Sequence, residues 1–140
     1  MTTAWHPAGA RELRLGLAGL GSMGRNHLRI LSNRPGVRLV AVADPVADVL
    51  AAAIAGSPAR GFADPLAMIA ESELDGVVIA APTNAHLDLA LAAVERDVAV
   101  LVEKPLAGTL DEALQIVHAA RARGVPVQVG HVERFNPAVL

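Results

Sequence analysis

Cysteine is absent from the 140-residue chain, which excludes disulfides and thiolate metal sites. Tyrosine is absent too, and the aromatics are one Trp and two Phe. Apolar types nevertheless make up 53% of the residues, so a core is available and has to be aliphatic. Ala, Val, Leu and Ile suit buried parallel strands covered by Ala-rich helices. No run of basic residues occurs and the formal net charge is −2, which argues against a nucleic-acid partner needing clustered Lys and Arg. No apolar run approaches the ~18 residues of a membrane span. The stretch Met1–Ala10 holds Trp5, His6 and Pro7 but no apolar leader core. No histidines or carboxylates fall at metal-ligand spacing, so no metal is expected. A soluble cytoplasmic chain of one domain is the expectation, with neither nucleic acid nor membrane as partner.

What is present is a regular alternation of short apolar runs and helical patterns, without repeats or low-complexity tracts. Strands are expected at Leu13–Ala18, Val37–Ala43, Ala59–Phe62, Val77–Ala80, Val98–Val102 and Val125–Gly130. Between them, helices are expected at Met23–Asn33, Val46–Ala55, from Asp64 as N-cap to Ala70, Asn84–Arg96, and from Thr109 to Arg123. Thr109 and Glu112 have capping-box spacing, and Gly124 marks the helix end. Strict β/α alternation implies an α/β fold, a doubly wound parallel sheet with strand order 3-2-1-4-5-6. A ligand then belongs at the carboxyl ends of the strands, near the switch between the first and fourth.

Three motifs fall at those strand ends. Gly19-Leu20-Gly21-Ser22-Met23-Gly24 is a G-x-G-x-x-G directly between the first strand and first helix. Gly19 permits the tight turn, Gly21 lets a pyrophosphate approach the backbone, and Gly24 lets helix and strand pack closely. The helix N-terminus offers free N–H groups to phosphate. Twelve glycines make a chance match conceivable, but the strand–turn–helix setting is the one a dinucleotide requires. Asp44 ends the second strand, twenty residues beyond Gly24. Its carboxylate can accept from the adenosine ribose hydroxyls and would repel a 2′-phosphate, which favours NAD over NADP. The alternative is a turn-initiating Asp ahead of Pro45.

Eleven of the twelve basic residues are Arg, and the single Lys is Lys104, in Glu103-Lys104-Pro105 after the fifth strand. A compact ammonium can sit beside a sugar hydroxyl and nicotinamide, and where burial lowers its pKa it can exchange a proton, which guanidinium cannot. Against this stands the plain fact that one lysine has to fall somewhere.

Together these residues resemble the Gfo/Idh/MocA family (glucose–fructose oxidoreductase/inositol dehydrogenase-like), over nearly the whole chain from Leu13. The glycine turn with Met23 and His27 is similar to that family's opening. Ala80-Ala81-Pro82-Thr83-Asn84-Ala85-His86 is similar to its segment lining the nicotinamide, although Thr83 precedes the Asn that the family places right after the proline. Glu103-Lys104-Pro105 matches its most specific motif. The resemblance implies an NAD(P)-dependent oxidoreductase acting on a sugar, cyclitol or nucleotide-sugar hydroxyl carbon. It implies cofactor contacts from Gly19, Gly21, Ser22, Met23, Gly24, Asp44, Ala81, Pro82, Thr83, Asn84, His86, Glu103, Lys104 and Pro105. Lys104 is the implied catalytic residue, with Glu103 orienting either that lysine or the cofactor, and the Lys104–Pro105 bond is expected to be cis. Lys104, His131 and Arg134 are the implied substrate contacts.

Gly130-His131-Val132-Glu133-Arg134-Phe135-Asn136-Pro137-Ala138-Val139 resembles the crossing into the family's second domain, in wording nearest the UDP-N-acetylglucosamine 3-dehydrogenase branch. That open-sheet domain would form the substrate pocket and the homo-oligomer interface. The expected division is a tail at 1–12, a dinucleotide-binding domain at 13–130, and at 131–140 the start of a crossing whose destination is missing, as in a fragment. His27 is expected to be structural, and His6 and His118 to lie at the surface. His86 is balanced between cofactor and packing, and His131 between substrate and backbone. Two other classes stay open: a stand-alone NAD(H)-binding or redox-sensing module without catalysis, and a degenerate structural domain. Glu103-Lys104-Pro105 speaks against the first, the intact glycine turn and Asp44 against the second.

Overall fold

The computed structural model describes residues 11–139. The expected tail lies outside them apart from Arg11 and Glu12, as does His6. Strands β1 (Leu13–Ala18), β2 (Val37–Ala43), β3 (Arg60–Phe62), β4 (Gly76–Ile79), β5 (Ala99–Val102) and β6 (Val127–Val129) alternate with helices α1 (Ser22–Leu31), α2 (Ala47–Ile54), α3 (Pro65–Glu71), α4 (His86–Glu95) and α5 (Leu110–Arg123). The strands form one sheet in the order β3-β2-β1-β4-β5-β6, and every pairing is parallel.

Because side chains alternate along a strand, the central strands feed two cores. Ala18, Ala41, Ala43, Val77, Ile79, Val100 and Val102 pack on one face with Met68 and Ile69 of α3, Leu89 and Val94 of α4, and Ile116 of α5. Leu17, Val42 and Val78 pack on the other face with Leu28 and Leu31 of α1 and Leu50 and Ile54 of α2. Leu17, Leu20, Met68, Ile79 and Ile116 are fully buried, and each such side chain contributes about 2 kcal/mol by leaving water. Small residues in β1, β2 and β4 let the helices lie close to the sheet.

The helix ends follow local chemistry. Asp64 Oδ1 accepts from Leu66 N at 2.9 Å to cap α3. Thr109 and Glu112 form the reciprocal capping box of α5, and Gly124 closes it in the left-handed region at φ 68°. Most boundaries shift by one or two residues, and two of the shifts have a clear local cause. The helix expected from Asn84 opens instead with a 3₁₀ turn at Thr83–Ala85. Ala85 offers no capping oxygen to α4, so its first N–H groups are served by the tighter turn. The sixth strand is shorter than Val125–Gly130. Pro126 has no N–H for the ladder and only accepts, from Val100 N at 2.9 Å, while Val125 N bonds back to Ala120 O.

Candidate cofactor-binding site

The glycine turn is built by close backbone approach. Gly19 sits at φ 94°, in the left-handed region that favours glycine. A Cβ there would lie 2.6 Å from the carbonyl carbon of Ala80 and from Ala81 N. A Cβ on Gly24 would lie 2.0 Å from the Gly19 oxygen. These two glycines therefore press the turn, the start of α1 and the end of β4 together. Gly21 is exposed, and a Cβ there would meet nothing within 4 Å. Its freedom leaves an open backbone surface at the head of α1. Ser22 and Met23 are exposed beside it.

The five helix N-termini make a fit test for a phosphate. Asp64 and Thr109 cap α3 and α5, and α2 and α4 carry Asp48 and Asp88 in their first turns. Only α1, among the five described α-helices, has neither a side-chain cap nor an acidic residue in its first turn. Its orphan N–H groups and positive dipole end are left for an anion from outside. The residues present fit a dinucleotide's pyrophosphate.

Asp44 stands beside this turn, 8% exposed. Its Oδ2 accepts from Leu20 N at 2.8 Å and its Oδ1 from Val46 N at 2.9 Å. The carboxylate thus braces the glycine turn from within, a role its sequence position did not reveal. Each oxygen keeps acceptor capacity for a hydroxyl.

The Glu103-Lys104-Pro105 segment leaves β5 at the same rim, and its Lys104–Pro105 peptide is cis. Glu103 is buried at 7% exposure, with Oε1 2.6 Å from His27 Nε2 of α1. Gly130, after β6, lies against the same carboxylate, where a Cβ would come within 3.2 Å of it. Lys104 and Pro105 are exposed. Ala81, Pro82, Thr83 and Asn84 line the neighbouring loop after β4, with Pro82 and Asn84 exposed.

His86, expected among the cofactor contacts, is placed differently. It is 1% exposed, with Nδ1 2.9 Å from Pro105 O and Nε2 2.8 Å from Ala81 O. Both ring nitrogens face backbone carbonyl oxygens and the ring is buried, so neither is open to a cofactor. His131 and Arg134 are exposed after β6, Arg134 within a 3₁₀ turn at Val132–Phe135. His118 is exposed, as expected. Among the described residues no group of three or more His, Asp or Glu is arranged for a metal, and no helix is long and apolar enough to cross a membrane.

Residues 13–131 match the family model for the Gfo/Idh/MocA oxidoreductase family, NAD-binding Rossmann fold. The chain belongs to that family. As the NAD-binding domain of a Gfo/Idh/MocA oxidoreductase, it is 45% identical over 132 residues to inositol 2-dehydrogenase 4 of Saccharopolyspora erythraea, an alignment covering 91% of this chain and 38% of that protein. Among solved structures, myo-inositol 2-dehydrogenase of Lactobacillus plantarum superposes with TM-score 0.85 and 27% identity, covering 91% of this chain and 38% of the other. The WlbA dehydrogenase of Bordetella pertussis, solved with NADH and UDP-GlcNAcA, superposes with TM-score 0.86 and 29% identity, covering 92% and 40%. The Gfo/Idh/MocA domain thus spans about two-fifths of the length of such relatives.

Proposed function

We propose that this chain is the cofactor half of an NAD-dependent dehydrogenase that moves a hydride between nicotinamide and a secondary hydroxyl carbon of a cyclitol or sugar. The observation that carries the proposal is the uncapped head of α1, with open Gly21 between two glycines that admit no Cβ, on the rim that also bears Lys104. The bound nicotinamide supplies the hydride chemistry. The chain's own residues orient it and hold the reacting oxygen. N–H groups at the start of α1 hold the pyrophosphate. Asp44 accepts from the ribose and keeps a negative charge where a 2′-phosphate would sit, so NAD is preferred to NADP. Ala81, Pro82, Thr83 and Asn84 border the nicotinamide end. The exposed ammonium of Lys104 donates a hydrogen bond to the substrate oxygen and stabilises its developing charge, while the hydroxyl proton passes to a base of the substrate domain; Glu103 fixes the turn that carries Lys104.

Residues 131–140 act as the start of a crossing to a substrate domain, which would complete the pocket and form a homo-oligomer interface in a cytoplasmic enzyme. His131 and Arg134 would meet substrate from that side. The inositol dehydrogenases among the relatives support a cyclitol. The decapeptide Gly130–Val139 favours a second reading, oxidation of a UDP-N-acetylglucosamine-type nucleotide sugar at a ring hydroxyl.

The test is NAD reduction by the full-length protein, followed by nicotinamide absorbance, over inositols, free sugars and UDP-sugars. One of these classes is expected to be turned over, with Lys104→Ala lowering kcat by about 100-fold or more while NADH still binds. Tight NADH binding with no turnover of any class would instead make this a binding or sensing module.

A further inference from the structure

Lys104 stands in the irregular stretch between β5 and α5, where an exposed side chain would ordinarily wander. Both of its chain neighbours, however, are tied to histidines. On one side the Glu103 carboxylate is 2.6 Å from His27 Nε2, is buried, and is walled by Gly130. On the other side His86 Nδ1 lies 2.9 Å from Pro105 O, and Nε2 of the same ring lies 2.8 Å from Ala81 O. The Glu103 amide is fixed as well, donating to Ile79 O at 2.9 Å.

We propose that His27 and His86 are positioning residues which hold Lys104 from either side, His27 through the Glu103 side chain and His86 through the Pro105 carbonyl. This rests on the reading that Lys104 faces substrate and nicotinamide. The geometry explains why two histidines sit in the seams between segments. His27 lies on the helix whose N-terminus meets phosphate, and His86 begins the helix after the nicotinamide-side loop. Each bridges its own segment to the lysine turn, so phosphate site, nicotinamide loop and Lys104 share one rigid frame. Neither ring needs to touch the ligand.

The chain offers an unusually direct readout, because Lys104 is its only lysine. Reductive methylation with ¹³C-formaldehyde labels Lys104 and the α-amine alone, and the carbon resonance of Lys104 reports its surroundings. In the 140-residue chain, His27→Leu is expected to displace or broaden that resonance, while His27→Gln, which keeps a donor for Glu103, restores it. Gly130→Ala, which crowds Glu103 without touching His27, is expected to displace it too. Wild-type imidazole NMR tests the other arm without any variant: His86 should carry an Nδ1 proton protected from exchange. A folded His27→Leu chain with an unchanged Lys104 resonance would overturn the His27 arm, and an unprotonated His86 Nδ1 the His86 arm. If His27→Leu does not fold, the Gly130→Ala comparison decides the first arm in its place. Adding NADH separates this inference from the functional reading. If NADH leaves the wild-type Lys104 resonance unmoved while the variants still displace it, the positioning stands and the site reading fails.

Discussion

At the carboxyl rim of the sheet Asp44 and Glu103 are 8% and 7% exposed, and each is met by backbone N–H groups or by an imidazole. At the amino rim Asp75 and Glu73 also have donors, but theirs are arginines and their surroundings are wet. The Asp75 side chain is 22% exposed and bound by Arg11, and that of Glu73 is 84% exposed and bound by Arg14. Arg14 N also donates to Asp75 Oδ2 at 2.7 Å, which ties the start of β1 to the approach of β4. The difference separates two uses of a carboxylate. Removing one from water is costly unless donors replace the lost hydration, so a fold gains little from doing so twice at one edge. The buried pair sits where a ligand is expected, and the solvated pair where strands simply need fastening.

The widest gap between the rims should come from the glycines. Gly24→Ala forces a Cβ against the Gly19 carbonyl, which has no side chain to swing away. We expect a loss of about 3 kcal/mol or more in unfolding free energy, as for other overpacked sites, read as a large drop in Tm together with loss of NADH binding. Next comes Asp44→Ala, which leaves Leu20 N and Val46 N without their acceptor. An unpaired buried donor costs about 1–3 kcal/mol, so chemical denaturation should show a clear but smaller loss. The smallest effect belongs to the amino rim. The hydrogen bond from Arg11 holds the Asp75 carboxyl below its ordinary range, helped by the Arg14 amide and by both charges, against some desolvation. A lowered folded-state value means the stabilisation is present above the unfolded value of about 3.9 and is lost as pH falls through the folded one. Asp75→Asn should therefore lower Tm modestly at neutral pH, less than Asp44→Ala does. The difference from wild type should close in acid.

The fold was legible because its signals are local and periodic. Aliphatic runs between helical patterns, the Thr109–Glu112 box and the Asp64 cap all lie within a few residues of what they determine. The strand order followed from alternation and handedness, and the structure has that order. Element edges shifted where one residue's chemistry intervened, as Pro126 does in β6 and Ala85 before α4. The tight-turn and close-packing roles of Gly19 and Gly24 were legible for the same reason, since spacing along one turn prescribes them. The links that interlock the site were not. His27 meets Glu103 across 76 positions, His86 meets Pro105 across 19, and Asp44 meets Leu20 across 24. No periodicity announces such contacts, because only the assembled sheet brings those segments together. His27 could have been singled out by lying on α1 three residues beyond Gly24, near the side of the helix that closes on the sheet. Arg11, inside the expected tail, likewise gains its role only when Asp75 arrives at the neighbouring strand.

The most direct measurement is calorimetric titration of the 140-residue chain with NADH and with NADPH, for wild type and for Asp44→Ala. The account predicts that wild type binds NADH more tightly than NADPH and that the variant, still folded, binds NADH more weakly and discriminates less. A folded wild-type chain that binds neither cofactor, or that prefers NADPH, would contradict it.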